Sequence, residues 1–290
     1  EYTLPEEFLN EKEMERQRKL HDTLITMGLR LISDSYLDQV KILCEKESVP
    51  YSGKIIDGLH WRSLVKDIRE HPYDLVVMGA LGMGATKDSM IGSVCERVAR
   101  RTNTDLLLVR ETENGGAHAN GHGRRILVGI DGSAHSFAAL LTAFKFAEIF
   151  DKEVEAVAVY DPYLHYVLFH MISKVLSEEG AKVFRFKEQE KLHEEIIDTG
   201  LGRIYQTHLQ VAKEVAQEQG LTLKTTLLDG KAYPKILKYA KESNPWLLVL
   251  GKIGYHGGED LDIGNNTENL LRMAPCNVFV STRKHLPPLE

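Results

Sequence analysis

Two stretches of the sequence carry glycines at a spacing that suits the binding of an anion. They are GALGMGATKDSMIGS (79–93) and GKIGYHGGEDLDIGN (251–265), and in each a glycine is followed by two residues, a second glycine, nine residues and a third glycine. Glycine lets a backbone approach a ligand closely, and a helix that begins at the third glycine offers unpaired N–H groups and a partial positive charge. Each stretch therefore predicts a phosphate-binding loop between a strand and a helix.

The interval between the two loops, 172 residues, also relates the sequence around them. IIDGLHWRSLVKDIREHPYDLVVMG (55–79) aligns with LLDGKAYPKILKYAKESNPWLLVLG (227–251), and beyond the loops Glu96 aligns with Glu268. No gap is needed from about residue 41 to 109, and so long an interval indicates a duplicated domain rather than a solenoid. The predicted organisation is a first domain at 1–112, a linker at 113–123 and a second domain at 124–285.

Strand and helix patterns alternate in the second copy. RRILVGID (124–131) is a short apolar run that leads into Asp-Gly, which is typical of a buried parallel strand, and Ser133 is a suitable N-cap for the amphipathic helix that follows. Five strands with helical crossovers predict an α/β fold whose parallel sheet is covered on both faces. The further strands are predicted at 153–162, 221–228, 246–251 and 277–281, with helices at 233–242 and 265–273.

Composition and charge exclude several classes of protein. The formal net charge is −6 and no lysine- or arginine-rich tract is present, so a nucleic-acid partner has no support. No apolar run approaches the ~20 residues of a membrane span, and residues 1–20 lack the apolar core of a signal peptide. We therefore expect a cytoplasmic protein with no membrane partner, whose three widely spaced cysteines are buried and reduced.

The usual motifs of catalysis and metal binding are absent from the sequence. It contains neither GxxxxGK[ST] nor GxGxxG, so P-loop and Rossmann chemistry have no support, and it contains no HExxH or GxSxG. His118 and His122 are four residues apart, but the glycines around them argue against the helix that would bring them together. We predict no catalytic residue and no metal site.

Together these features resemble the universal stress protein family. The resemblance rests on G-x2-G-x9-G-[S/T], an apolar strand ending in Met-Gly before the loop, an initial strand ending in Asp-Gly-Ser, and the alternating strands. It covers both copies, so the chain resembles a tandem universal stress protein. The resemblance implies an α/β fold of two tandem open parallel five-stranded sheets (order 3-2-1-4-5) with helices on both faces, of the adenine nucleotide alpha hydrolase-like type.

The resemblance also implies a ligand, ATP or AMP, with or without Mg²⁺. In ATP-binding members of the family, the aspartate after the first strand and the end of the second strand hold adenosine, and the glycine loop and the next helix hold ribose and phosphates. Carried onto the second copy, these positions are Asp131, Val159, Leu250, Gly251, Gly254, Gly264 and Asn265. In the first copy they are Met78, Gly79, Gly82, Gly92, Ser93 and Val94.

The first copy departs from the family pattern because it begins late. The interval of 172 residues places Glu1 over Ser173, so no counterpart of the second copy's first two strands precedes it. The strand predicted at 51–57 then lacks a neighbour, and one side of the strand before the first glycine loop is bare. By comparison with 124–172, we expect about 45–50 residues upstream, or two strands donated by another chain.

The second copy departs from the pattern in its charge. Its loop YHGGEDLDI (255–263) contains three carboxylates and sums to −3, whereas in MGATKDSMI (83–91) Lys87 offsets Asp88. Like charges at about 4 Å repel by ~1 kcal/mol in water and ~4 kcal/mol at an effective dielectric of 20. These carboxylates therefore oppose a triphosphate unless Mg²⁺ bridges them or they turn outward, and Asn265 replaces the usual hydroxyl residue. We expect the first loop, given an upstream segment, to be the better triphosphate site.

The leading hypothesis is a non-catalytic regulatory protein of the universal stress response type, in which bound ATP or AMP sets conformation or partner choice. Two alternatives remain open: a scaffold whose nucleotide sites have decayed, and a slow ATP hydrolase. The last strands, 105–110 and 277–281, are short and apolar, which favours pairing of the copies as an intramolecular pseudo-dimer and is compatible with a homodimer. YLHYVLFHMISKVL (163–176) is a candidate surface for domain packing or for an unknown protein partner.

Overall fold

The computed structural model of the chain describes residues 11–82, 90–110, 123–161, 198–258 and 260–287. The chain forms two compact units, residues 1–63 and 64–290. Several sequence features lie outside the described residues: the charge pair Lys87 and Asp88, the histidines His118 and His122, and the surface predicted at 163–176.

The first unit contains one long helix and a segment that turns back along it. Helix α1 (Glu11–Lys46) has no buried residue. The chain then reverses, and the Tyr51 hydroxyl donates to the Leu37 carbonyl at 3.1 Å. Residues 51–57 have no regular secondary structure, so the strand predicted there is wrong. A strand needs a hydrogen-bonded neighbour, and none of the described residues of this unit provides one.

Helices and strands alternate through the remainder of the described chain. The helices are α2 (His60–Glu70), α3 (Ser93–Arg101), α4 (Ala134–Phe150), α5 (Asp198–Glu218), α6 (Ala232–Ser243) and α7 (Asn265–Met273). The strands are β1 (Leu75–Gly79), β2 (Asp105–Val109), β3 (Arg125–Gly129), β4 (Glu153–Tyr160), β5 (Lys224–Asp229), β6 (Leu247–Gly251) and β7 (Asn277–Ser281). Ser133 caps α4 as predicted, with its hydroxyl accepting the Ser136 N–H at 3.1 Å. Over the described ranges, no helix is both long enough and apolar enough to cross a membrane.

The seven strands of the described residues belong to one sheet, in the order β1-β2-β7-β6-β3-β4-β5. The five strands of the second copy are parallel to one another, and their order agrees with the predicted 3-2-1-4-5. The prediction of two separate five-stranded sheets is wrong. The described part of the first copy contributes β1 and β2, and β2 joins the second copy's sheet through an antiparallel pairing with β7 that sets Leu106 opposite Val280.

The two copies therefore meet through their last strands, as the sequence predicts. At one end of the junction the Arg110 N–H donates to Asn277 Oδ1 at 3.0 Å. At the other end the Thr282 N–H donates to Asp105 Oδ1 at 2.7 Å. The second bond repeats the first after the interval of 172 residues, with donor and acceptor exchanged between copies. An approximate two-fold axis thus relates the two copies at this junction.

Ion pairs between α3 and α7 follow the same two-fold relation. Arg272 reaches Glu96 at 2.7 Å, and its counterpart Arg100 pairs with Glu268. The two arginine side chains are 39% and 43% exposed, and such solvated pairs contribute roughly 0–1 kcal/mol each. They fix the alignment of the two helices more than they stabilise the fold.

Helices cover both faces of the sheet, as predicted. On one face α4 and α5 enclose a core that includes Phe137 and Leu209. On the other face α3, α6 and α7 enclose a core that includes Ile236 and Leu270. The edge strand β1 is the most exposed, with Val77 57% accessible, which agrees with the bare side expected for this strand.

The cysteines are free thiols, and two of the three are buried. Cys95 and Cys276 are buried, while Cys44 is half-buried, so the expectation of burial holds for two of them. Burial raises the pKa of the Cys95 and Cys276 thiols to about 12, against the opposing attraction of Arg110. Thiols with so little thiolate are unreactive.

Glu155 is a fully buried carboxylate in β4 that no sequence pattern singled out. It accepts hydrogen bonds from the Thr226 hydroxyl at 2.6 Å and the Tyr239 hydroxyl at 2.7 Å. Lys224 and Arg125 pair with it at 3.1 and 3.0 Å. Burial, the largest single influence, raises the pKa of this carboxyl, but the hydrogen bonds from Thr226, Tyr239 and Lys224 together outweigh it and leave the pKa lowered.

We expect Glu155→Gln to lower the free energy of unfolding at pH 7 by about 1–3 kcal/mol, since it weakens charge-assisted hydrogen bonds. A carboxyl whose folded pKa is lowered stabilises the fold above its unfolded pKa of about 4.3, and this contribution is lost as the pH falls through the folded pKa. The difference between the variant and the wild type should therefore shrink in acid. Urea unfolding at several pH values measures it.

The matched control is Glu153→Gln, an exposed carboxylate on the same strand, which should change stability by less than about 0.5 kcal/mol. A difference for Glu155→Gln that stays constant from neutral to acid pH would contradict the assignment.

Candidate functional site

The order of the strands reverses near the centre of the sheet, between β3 and β6. Strands β3 and β6 are neighbours, and the chain continues from β3 to β4 on one side and from β6 to β7 on the other. Connections that diverge in this way leave a crevice at the carboxyl ends of the strands. A cavity of ≈ 270 Å³ occupies this position, with walls from the ends of β3, β4 and β6, from α5 and α6, and from the loop that leads into α7.

The seven residues selected in the second copy all line this cavity. They reach it from separate parts of the chain, so their proximity depends on the sheet order and not on the glycine spacing alone. They are Asp131 after β3, Val159 in β4, Leu250 and Gly251 at the end of β6, Gly254 in the loop, and Gly264 and Asn265 at the start of α7.

Asp131 connects the turn after β3 to the second glycine loop. Its Oδ1 accepts the Ser133 N–H at 3.0 Å, and its Oδ2 accepts the Tyr255 N–H at 2.9 Å. A Cβ added at Gly254 would lie 2.6 Å from Oδ2, and one added at Gly251 would lie 2.7 Å from the carbonyl carbon of His135. These glycines are therefore needed for close packing within the protein, whatever ligand the loop takes.

Two aromatic residues of α5 border the site. Tyr205 lines the cavity, and the His208 ring lies directly against Gly132. Burial lowers the pKa of the His208 imidazole and raises the pKa of the Tyr205 hydroxyl, while the nearby Asp131 carboxylate pulls both pKa values upward. Both side chains are thus neutral at pH 7. Sequence reasoning missed them because α5 shows a helical pattern and no motif.

The cavity wall offers little positive charge to a ligand. None of the described residues that line it is Lys or Arg, and Asp131 is the one carboxylate among them. Asp260 and Asp262 of the acidic loop are exposed and do not line the cavity. These two carboxylates face solvent, which is the outward orientation that the sequence left open, while Glu259 lies outside the described residues.

The first glycine loop has the same backbone arrangement at its ends as the second. The Gly92 N–H donates to the Ala80 carbonyl at 2.7 Å, and the Gly264 N–H donates to the Lys252 carbonyl at 2.9 Å. The six residues selected in the first copy lie at the end of β1, in the loop that follows it and at the start of α3, and they do not line the cavity of the second copy. Met78, Gly92 and Val94 are half-buried, while Gly79, Gly82 and Ser93 are exposed.

We expect Gly254→Ala to destabilise the protein by about 1–3 kcal/mol, because the new Cβ displaces the Asp131 carboxylate from the Tyr255 N–H. Gly258→Ala is the matched control in the same loop, since an added Cβ there meets nothing within 4 Å. Thermal or urea unfolding compares the two variants. Equal free energies of unfolding for the two variants would show that the close approach of Gly254 to Asp131 does not contribute to stability.

Known proteins share both the sequence pattern and the fold. The model of the universal stress protein family matches residues 3–110 and again residues 123–282. The universal stress protein MJ0531 of Methanocaldococcus jannaschii is 28% identical over 162 residues, which cover 54% of this chain and 81% of that protein. The universal stress protein YxiE of Bacillus subtilis is 27% identical over 168 residues, 54% of this chain and 97% of that protein.

Solved structures with low identity share the fold. A universal stress protein from Archaeoglobus fulgidus is 20% identical, with a TM-score of 0.52 over 86% of this chain and 81% of its own. A functionally unknown protein, PA1789 from Pseudomonas aeruginosa, is 15% identical, with a TM-score of 0.54 over 86% of this chain and 77% of its own. Because the family model covers both copies, the chain belongs to the universal stress protein family and contains two domains of that family in tandem.

Proposed function

We propose that the second domain binds an adenine nucleotide in the cavity between β3 and β6, and that occupancy regulates the protein without catalysis. The observation that carries the proposal is the convergence of all seven residues selected in the second copy on one cavity at the point where the strand order reverses. Ligands of open α/β sheets bind at this point. The family resemblance makes adenosine the natural occupant.

The chemistry of the wall suits the two ends of such a ligand. Apolar side chains, among them Val157, Val159 and Ile236, line one part of the cavity and match the flat, largely apolar face of a base. At the other part lies Gly264, the N-cap of α7. It has no side chain to cap the helix, which leaves the first N–H groups of α7 open to an anion. Asn265 lies at this helix start.

The charge of the cavity wall favours a nucleotide with one phosphate over a nucleotide with three. Without Lys or Arg among the described lining residues, the negative charge of a triphosphate is met by backbone N–H groups and by uncharged side-chain donors such as Ser133 and Asn265. Asp260 and Asp262 add repulsion from the solvent side of the loop. We therefore propose AMP as the preferred ligand of the second domain, and ATP as the ligand of the first glycine loop, where Ser93 supplies a hydroxyl.

Nucleotide carried through purification tests the function. The protein is purified gently and denatured, and the released small molecules are separated by chromatography and quantified per chain. Adenine nucleotide near stoichiometric amounts supports the proposal. If neither bound nor added AMP or ATP is detected, the regulatory role fails and a scaffold whose sites have decayed becomes the better account. Recovery of ADP alone, with phosphate released from added ATP, would indicate a hydrolase.

We expect the double variant Asp260→Asn, Asp262→Asn to bind ATP about threefold to tenfold more tightly than the wild type, since it removes two solvent-exposed repulsive charges. Its affinity for AMP should change much less. Calorimetric titrations without Mg²⁺ measure both, in a Gly92→Val background that closes the first loop, where an added Cβ already lies 3.3 Å from the Ala80 carbonyl.

The control for this pair is the double variant Glu148→Gln, Glu153→Gln, which makes the same change in net charge at exposed positions away from the cavity. An equal gain in ATP affinity there would assign the effect to net charge and would remove the local argument.

A further inference from the structure

Lys252 belongs to the loop of the cavity, yet its side chain points into the other domain. Its neighbours Gly251 and Ile253 both line the cavity. Lys252 is buried, with 5% of its surface exposed, and its Nζ donates to the Thr102 carbonyl at 2.6 Å and lies 3.5 Å from Asn103 Oδ1. A residue of the loop that borders the second domain's cavity thus contacts the end of α3 in the first domain.

The end of α3 is a favourable place for this ammonium group. The last carbonyls of a helix lack intrahelical partners and carry a partial negative charge. Thr102 is the C-cap of α3, and Arg69 donates to the carbonyl of Arg101, the residue before it, at 3.1 Å. Burial nevertheless lowers the pKa of the Lys252 ammonium, and nearby Asp262 only partly opposes this. A buried cation is costly, and an apolar residue here would be tolerated.

The backbone of Lys252 is fixed on both sides. Its N–H donates to the Ser281 carbonyl of β7 at 2.8 Å, and its carbonyl accepts the Gly264 N–H at the start of α7 at 2.9 Å. The loop therefore cannot shift at this residue without moving the ammonium group against Thr102. In the first copy the equivalent residue is Ala80, so the internal repeat does not require a lysine.

Arg110 makes a corresponding connection in the opposite direction. Its guanidinium donates to the carbonyls of Leu271 and Arg272, at the end of α7, at 2.6 and 2.9 Å. The same guanidinium donates to the Met90 carbonyl, at the end of the first glycine loop, at 2.8 Å. Each glycine loop is thus tied by a cationic side chain to the C-terminal end of the other domain's helix. Lys252 is buried and Arg110 is half-buried, and the two occupy different positions of the repeat.

We propose that Lys252 is a positioning residue that links occupancy of the second domain's cavity to the C-terminal end of α3 in the first domain. The inference rests on the proposed nucleotide binding and adds its route of regulation. A ligand that holds the loop 251–254 also holds the ammonium group on Thr102. By thermodynamic reciprocity, an ordered end of α3 favours ligand binding in the cavity. The ligand that acts through this link is an adenine nucleotide, and the element that responds is α3, the helix that follows the first glycine loop.

Hydrogen exchange on the full chain, with AMP as the probe, tests the link. In the wild type we expect AMP to slow exchange at residues 98–103, which are the last turn of α3 and the two residues after it, by about fivefold or more, the lower end of typical coupling between sites. Lys252→Met should keep the fold, bind AMP more weakly by a similar factor and lose the protection at α3. Lys252→Ala, which copies the residue at position 80, should behave in the same way.

Arg100→Met is the matched control, because Arg100 crosses the same interface without touching the cavity. It should retain the AMP-dependent protection. If AMP binds to the wild type but leaves α3 unchanged, or protects α3 equally in Lys252→Met, the proposed link is wrong while nucleotide binding stands. If AMP does not bind to the wild type at all, both proposals are wrong.

Discussion

The antiparallel hydrogen bonding between β2 and β7 is the contact on which the arrangement of the second unit depends. Within each copy the strand pairs are parallel, so the last strand of each would otherwise end in unpaired N–H and C=O groups. Pairing the two edges satisfies both at once. It also places α3 beside α7, which brings Arg100 to Glu268 and Lys252 to Thr102. The interactions between domains follow from this single pairing.

The sequence predicted the elements of the second copy well, because their signals are local. The apolar runs, the Ser133 cap and the glycine spacing each lie within a few residues, and the repeat gave an internal check on them. The order of the strands followed from the resemblance and not from any local pattern. Given that order, the meeting of Asp131 with Gly254 is a direct geometric consequence.

Features that depend on distant contacts were missed. The sequence predicted that the copies meet through their last strands, but not that this pairing fuses them into one sheet, because the fusion depends on the register between two edge strands, which no local pattern reports. Glu155 interrupts an apolar strand, and its partners Thr226 and Tyr239 lie 71 and 84 residues away. Tyr205 likewise reaches the cavity from a helix that carries no motif. The strand predicted at 51–57 is absent for a related reason. Its sequence has a local strand pattern, but a strand forms only when a neighbouring strand pairs with it.

The short connection between β2 of the first domain and β3 of the second domain affects how the two domains stay together. β2 ends at Val109 and β3 begins at Arg125, so one chain supplies both sides of the antiparallel junction. Two separate chains joined by such an edge would come apart on dilution, whereas a short tether holds the partner at an effective concentration of the order of millimolar. Pairing of the domains is therefore intramolecular and does not depend on the concentration of the protein. A linked pair also allows each half to change independently, and the lysine at position 252 opposite an alanine at position 80 is one such change.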